Sequence, residues 1–158
     1  MAERVADLVE LAVTGGGATS GLGAEIAVSG GSTPIAMYEA LAKRKLDWRR
    51  HRLTLVDERW VPHEHPRSNE AAIRRAFAAA EGVRIAGLYN GAATPRAGLA
   101  RAEEMLDGHQ KPFDAVILGM GDDGHTASWF PHAEGVEAAL SADNRLAAIR
   151  ANRSAVTG

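Results

Sequence analysis

The chain has 158 residues, 46% of them hydrophobic and 24% charged, the mixture of a soluble globular protein long enough for one domain with a buried core. It has no cysteine, which excludes disulfides, thiol catalysis and thiolate metal sites and fits a cytoplasmic setting, and no apolar run nears the roughly 20 residues of a membrane helix. Eighteen Lys and Arg against 20 Asp and Glu give a formal charge of −2, with the basic residues spread out except at Lys43-Arg44-Lys45 and Arg49-Arg50, so no nucleic-acid surface is expected.

The N-terminus, Met1-Ala-Glu-Arg-Val, has neither the basic stretch nor the apolar core of a signal peptide. Residues 2–13 carry Val5, Leu8, Val9 and Ala12 at helical spacing and predict an amphipathic helix, broken by Gly15-Gly16-Gly17. Ile26-Ala27-Val28 reads as a buried strand. Ser29-Gly30-Gly31-Ser32-Thr33-Pro34 ends it, and a second helix is predicted from there to about Leu46, with Pro34 in its first turn and Ser32 or Thr33 as cap. The next strand, residues 52–56, ends at Asp57-Glu58-Arg59. A proline-bearing loop leads to Ser68-Asn69 and an alanine-rich helix. A short strand around 83–88, a helix over 96–107 and a buried strand over 113–118 follow, then a glycine-rich loop and a last predicted strand over 145–149. Strands alternating with helices predict a three-layer α/β domain: a mainly parallel sheet with helices on both faces. In such sheets ligands bind beyond the carboxyl ends of the strands, where the loops 29–34, 57–69 and 119–131 all lie.

Each loop carries chemistry. In Ser29–Pro34 the paired glycines let backbone amides approach an anion at a helix N-terminus, and an ordinary tight turn explains the same residues. The lysine of a P-loop and the spacing of a dinucleotide fingerprint are both absent. Asp57, Glu58 and Arg59 are expected from spacing alone to pair with one another, although a guanidinium there also suits a phosphate. His63-Glu64-His65 has a superficial look of metal ligands but sits in a charged, proline-flanked loop, where solvated side chains are the expectation. Gly119-Met-Gly-Asp-Asp-Gly-His125 delivers Asp122, Asp123 and His125 to the sheet edge, and a glycine-flanked histidine behind an acidic pair favours proton transfer. Ser128 lacks the surroundings of a nucleophile elbow and reads as a helix cap.

Taken in order, SGGSTP at 29–34, DERWVP at 57–62 with HPRSN at 65–69, and LGMGDDGHTASWFP at 118–131 resemble the 6-phosphogluconolactonase family, within the glucosamine-6-phosphate isomerase superfamily. The resemblance runs from the first helix to the last predicted strand. It implies a Rossmann-like sugar-phosphate isomerase fold and hydrolysis of 6-phospho-D-glucono-1,5-lactone to 6-phospho-D-gluconate, without metal or organic cofactor. On that resemblance His125 is the general base and Asp123 orients it. Gly30, Gly31 and Ser32 line the substrate site, Arg59 binds phosphate and Asp57 shapes the pocket. The related amino-sugar-phosphate isomerase/deaminases carry an acidic residue where this chain has Ser128-Trp129-Phe130-Pro131, which favours the lactonase; a deaminase and a non-catalytic sugar-phosphate-binding module are the alternatives. Family members continue past the point where this sequence ends, with further strands, helices and Lys/Arg phosphate contacts. Residues 1–158 are therefore expected to be a single domain lacking its C-terminal portion.

Overall fold

Four short parallel strands form the sheet in the order β3-β2-β1-β4: β1 Glu25–Val28, β2 Arg52–Leu55, β3 Arg84–Ala86 and β4 Ala115–Ile117. The computed structural model describes residues 1–15, 23–108, 112–141 and 144–151, so the helix break expected at Gly16 and Gly17 and the tail 154–158 lie outside the described residues. β1 is the central strand, buried along its whole length, with Val28 opposite Leu55 on one side and Ile117 on the other. Buried Glu25 at its start is neutralised by Arg52, whose Nε donates to Oε1 at 2.6 Å, and its amide donates to Asp114 Oδ2 at 2.8 Å.

Among the described residues the helices are α1 Ala2–Gly15, α2 Ile35–Ala42, α3 Asn69–Ala76, α4 Pro95–Met105 and α5 Val136–Leu140. The crossovers through α2 and α3 step in one direction along the sheet, and that through α4 steps back past β1. Right-handed connections therefore put α4 on the face opposite α2 and α3. α1 packs against α2, so the three-layer α/β arrangement holds. The reversal falls between β1 and β4, where the loops leaving the two strands part and open a crevice at their carboxyl ends. The core joins Val9 and Val13 of α1, Ile26 and Val28, Tyr38 and Leu41 of α2, Leu53, Ile73 and Phe77; the Tyr38 and Trp48 rings meet Phe77 with centroids 5.4 and 5.7 Å away.

Several local expectations are corrected. α1 buries Ala6, Val9 and Val13 where it packs on α2 and leaves Leu8 67% exposed. α2 stops at Ala42 rather than near Leu46, since burying Trp48 against Phe77 takes the chain off the helix axis through a 3-10 turn, Trp48–Arg50. Neither Ser32 nor Thr33 caps it. Pro34 is itself the N-cap with helical dihedrals, and its carbonyl takes the amides of Met37 and Tyr38 at 3.0 and 3.0 Å. β4 is a sheet edge and not a buried strand, with Val116 53% exposed. The strand expected over 145–149 is absent. Arg145 instead reaches the α4 end, donating to the Glu103 carbonyl at 3.0 Å and to Asp107 Oδ1 at 2.6 Å, which docks the segment on the helix and leaves only a bridge between Glu134 and Arg150. The basic cluster is tied down too: Arg44 pairs with Glu3 and Asp7 of α1 at 2.8 and 2.6 Å.

His51 lies under the sheet's other end, buried, its Nδ1 accepting the Ala24 amide at 3.0 Å. Burial first, then the neighbouring Arg50, lowers its pKa from the ordinary 6.5, with Asp47 and Asp114 acting the other way. The native chain thus refuses a proton that the unfolded chain accepts. Stability is full above the unfolded value of 6.5 and is lost as pH falls below it, by at most about 1.4 kcal/mol per pH unit. Thermal melts from pH 7.5 to 5 are expected to show this fall, and His51→Gln, which keeps an acceptor but cannot titrate, to flatten it; an equal slope in both proteins would contradict the assignment.

Candidate functional site

At the end of β2 the three charged residues do not pair with one another, which corrects the expectation from spacing. Glu58 caps α3: its Oε1 accepts the Asn69 amide at 2.8 Å and its Oε2 the Glu70 amide at 2.9 Å, a carboxylate at the positive end of the helix dipole. Ser68, the N-cap, accepts the Ala71 amide at 3.1 Å. Asp57 Oδ2 accepts from Ser128 Oγ at 2.6 Å, and its Oδ1 from Asn69 Nδ2 at 3.1 Å. With both carboxylates engaged elsewhere, Arg59 enters no ion pair among the described residues, and its Nε is buried with no acceptor. Trp60 anchors the far end of this loop, donating from Nε1 to the Ala92 carbonyl at 2.8 Å and meeting Tyr89 edge-on at 5.4 Å.

The loop after β4 folds back on itself. The Gly121 amide donates to the His125 carbonyl at 2.8 Å, the Gly124 amide to the Gly121 carbonyl at 2.9 Å, and Gly124 takes a φ of +83° that a side chain would resist. Asp123 and His125 are thereby brought together: Nδ1 stands 2.5 Å from Oδ1, which also accepts the His125 amide at 3.2 Å. The hydrogen bond from the ring holds the Asp123 carboxyl below its ordinary range, so it is the ionised partner. With Nδ1–H committed to Asp123, the Nε2 lone pair is the one free to take a proton. Phe130, buried, backs the imidazole with centroids 4.3 Å apart. Asp122 stays exposed beside the pair and enters no ion pair among the described residues.

The Ser29–Pro34 loop is fixed at its root and open at its tip. The Ser29 amide donates to the Ile117 carbonyl at 3.1 Å, and its carbonyl accepts the buried Tyr38 hydroxyl at 2.9 Å. Burial, resisted only partly by that bond, pushes the Tyr38 pKa up to about 12, so the phenol stays a donor. Gly30 passes so close to Asn69 that a Cβ would sit 2.0 Å from its Oδ1. Gly31, at φ +90°, and Ser32 are exposed, and the Ser32 hydroxyl has no partner among the described residues. His63 and His65 are exposed, and His65 Nδ1 accepts the Arg67 amide at 3.1 Å. Among the described residues no three His, Asp or Glu side chains gather as metal ligands, and no helix is long and apolar enough to cross a membrane.

The three loops therefore converge, with Asp57 as the point where they meet. Ser128 is no helix cap. Like Glu58 and Asn69, it holds the loops together through bonds across the fold, which only the Ser-Asn pair ahead of α3 hints at in sequence. Among the described residues, buried side-chain polar atoms without a partner at this edge include Ser29 Oγ, Arg59 Nε and Thr126 Oγ1. Unsatisfied donors grouped beside a His–Asp pair are what a polar ligand would complete. A separate cavity of about 280 Å³ opens below Asp57 and Ser128, walled by Val56, Leu88, Leu99, Leu118 and Leu146 and not by His125. Asp57, Glu58, Thr126, Ser128, Asn144 and Arg145 also line it, so it adjoins the loops at the strand ends.

Comparison with known proteins places the chain in a family. The family described as glucosamine-6-phosphate isomerases/6-phosphogluconolactonase matches residues 1–157. The 6-phosphogluconolactonase of Pseudomonas aeruginosa is 45% identical over 121 residues, 73% of this chain and 49% of that protein. That of Rhizobium meliloti is 44% identical over 143 residues, 89% and 61% of the respective chains. The crystal structure of a 6-phosphogluconolactonase from Shewanella baltica superposes with a TM-score of 0.90 at 36% identity, covering 94% of this chain and 64% of that one. A monomeric glucosamine-6-phosphate deaminase, at 18% identity and a TM-score of 0.69, shares the fold. This chain thus spans about half to two thirds of the length of the relatives it matches.

Proposed function

This chain belongs to the glucosamine-6-phosphate isomerase/6-phosphogluconolactonase family, and from that premise we propose that it hydrolyses 6-phospho-D-glucono-1,5-lactone to 6-phospho-D-gluconate. The observation that carries the reading is the pairing of His125 with Asp123, together with an Arg59 at the end of β2 that enters no ion pair among the described residues. In this mechanism His125 Nε2 takes a proton from water as the water oxygen attacks the lactone carbonyl. The tetrahedral intermediate collapses, the ring C–O bond breaks, and the imidazolium returns the proton to the departing oxygen. The product acid then ionises. Asp123, held ionised, fixes the tautomer and offsets the transient positive charge. Backbone amides and the hydroxyl of Gly30, Gly31 and Ser32 line the substrate, and the oxyanion forms within reach of such donors. A lactone is already an activated ester, so a positioned base and preorganised donors suffice without metal or organic cofactor.

Arg59 is the phosphate-binding residue in this reading. Its planar fork donates two hydrogen bonds to a phosphate where Lys would offer a point charge. Asp57 shapes the pocket. A phosphorylated sugar lactone, and not nucleic acid, is the partner, the cytoplasm is the compartment, and residues 1–158 belong to a single domain. The test compares three compounds: the 6-phosphorylated lactone, unphosphorylated gluconolactone and glucosamine 6-phosphate. The first is expected to turn over best and the amino sugar not at all. Arg59→Gln is expected to raise KM for the phosphorylated lactone about 10- to 100-fold, the loss of a charge-assisted bond worth about 1.5–3 kcal/mol, and to leave the unphosphorylated one unchanged. Ammonia release from glucosamine 6-phosphate would overturn the lactonase reading in favour of a deaminase.

A further inference from the structure

We propose that Ser128 and Asn69 are positioning residues that act through Asp57 to fix where the His125 imidazole stands. The Ser128–Asp57 bond of 2.6 Å ties the loop after β4 to the end of β2 across 71 residues of sequence. Asn69 holds Asp57 from the other side, its Nδ2 donating to both the carbonyl and Oδ1 at 3.1 Å. Asn69 is itself immobilised: it is buried, its amide is taken by Glu58, and Gly30 packs against its side chain where a Cβ would not fit. Each loop thus supplies a member of one row, Gly30 against Asn69, Asn69 on Asp57, Asp57 on Ser128. Both carboxylate oxygens of Asp57 are occupied by these donors.

The row grips the loop of His125 at its stiffest point. Ser128 follows Ala127, which holds a φ of +50° that a non-glycine residue adopts only under constraint. Thr126, next to His125, bridges back to both Met120 and Trp129. With Ser128 pinned on one side and the Gly121–His125 backbone bond on the other, the imidazole has one place to stand. Freeing Ser128 lets Ala127 relax to an ordinary conformation, and His125, two residues before Ala127, moves with it.

The kinetic half of the test rests on the lactonase reading; the spectroscopic half does not. In the full chain, Ser128→Ala and Asn69→Ala are each expected to lower kcat about 10- to 100-fold with KM within about twofold, the cost of a displaced catalytic group. Ser128→Thr, which keeps the hydroxyl, restores most of the rate. The double variant Ser128→Ala/His125→Ala is no slower than His125→Ala alone, because a residue acting through the imidazole then has nothing to position. The His125 ring signal in the carbon-13 NMR spectrum moves or broadens in Ser128→Ala and stays in place in Ser141→Ala, whose hydroxyl bonds to the Glu137 and Ala138 carbonyls of α5. Undiminished kcat in Ser128→Ala, an equal further loss in the His125→Ala background, or an unmoved ring signal overturns the proposal. A parent chain without turnover whose ring signal still answers to Ser128→Ala overturns the lactonase reading and leaves the positioning role standing.

Discussion

His125→Ala is expected to cut kcat on 6-phosphogluconolactone by about 10²- to 10⁴-fold, the usual worth of a positioned general base, with KM nearly unchanged. The Nδ1 of this ring is committed to Asp123 at 2.5 Å, so the variant removes the Nε2 lone pair that would activate water. It removes little else. The ring is partly exposed, and its contact with Phe130 is the packing it gives up, so the melting temperature should hardly move. Asp123→Asn is expected to lose less than His125→Ala, because the imidazole remains but can turn to the wrong tautomer. A fall of less than threefold in His125→Ala would place the base elsewhere.

Gly121→Ala is expected to lower turnover about 100-fold while the protein still melts cooperatively at nearly the parent temperature. A Cβ at 121 would lie 2.2 Å from Cε1 and 2.4 Å from Nδ1 of His125, and 3.0 Å from Asp123 Oδ1. All three of these nearest atoms belong to side chains. The fold can therefore accept the methyl by swinging the imidazole aside, and that movement separates His125 from Asp123; a displacement of about 1 Å is enough to cost about two orders of magnitude in rate. Gly119→Ala is the control in the same loop. Nothing lies within 4 Å of its Cβ position, so rate and stability should both stay at the parent values. Equal losses at 119 and 121 would mean that the loop's general flexibility matters and not the space beside the ring.

The architecture was legible where hydrophobic runs and breakers agree. Ile26–Val28, the 52–55 run and the capped helix after Ser68 all stand close to their expected bounds, because each is bracketed by glycine, proline or a capping side chain. The position of β4 was not legible: Ala115–Ile117 is apolar enough for a central strand, and only the order of strands in space reveals that among the described residues it pairs with β1 alone. Nor was the fate of Arg145–Ile149, since an apolar run cannot announce that its leading arginine will bind the carbonyls at the end of α4. At the site, the glycine loop announced a histidine behind an acidic pair, and the family resemblance singled out Asp123 as its partner. The charge pattern Asp57-Glu58-Arg59 misleads, because adjacent opposite charges suggest pairing. The helix N-terminus at Asn69 and the hydroxyl of Ser128 compete for those carboxylates and win, and both come from elsewhere in the chain. Long-range hydrogen bonds leave no periodic trace in a sequence.

The proposed lactonase activity through His125 is tested most directly by the hydrolysis rate of freshly generated 6-phosphogluconolactone, corrected for spontaneous opening, with parent and His125→Ala side by side. The account expects the parent to exceed the spontaneous rate in proportion to protein concentration and His125→Ala to fall to within a few per cent of it. A parent rate equal to the spontaneous one in a chain that melts cooperatively would contradict the account and leave a sugar-phosphate-binding module in its place.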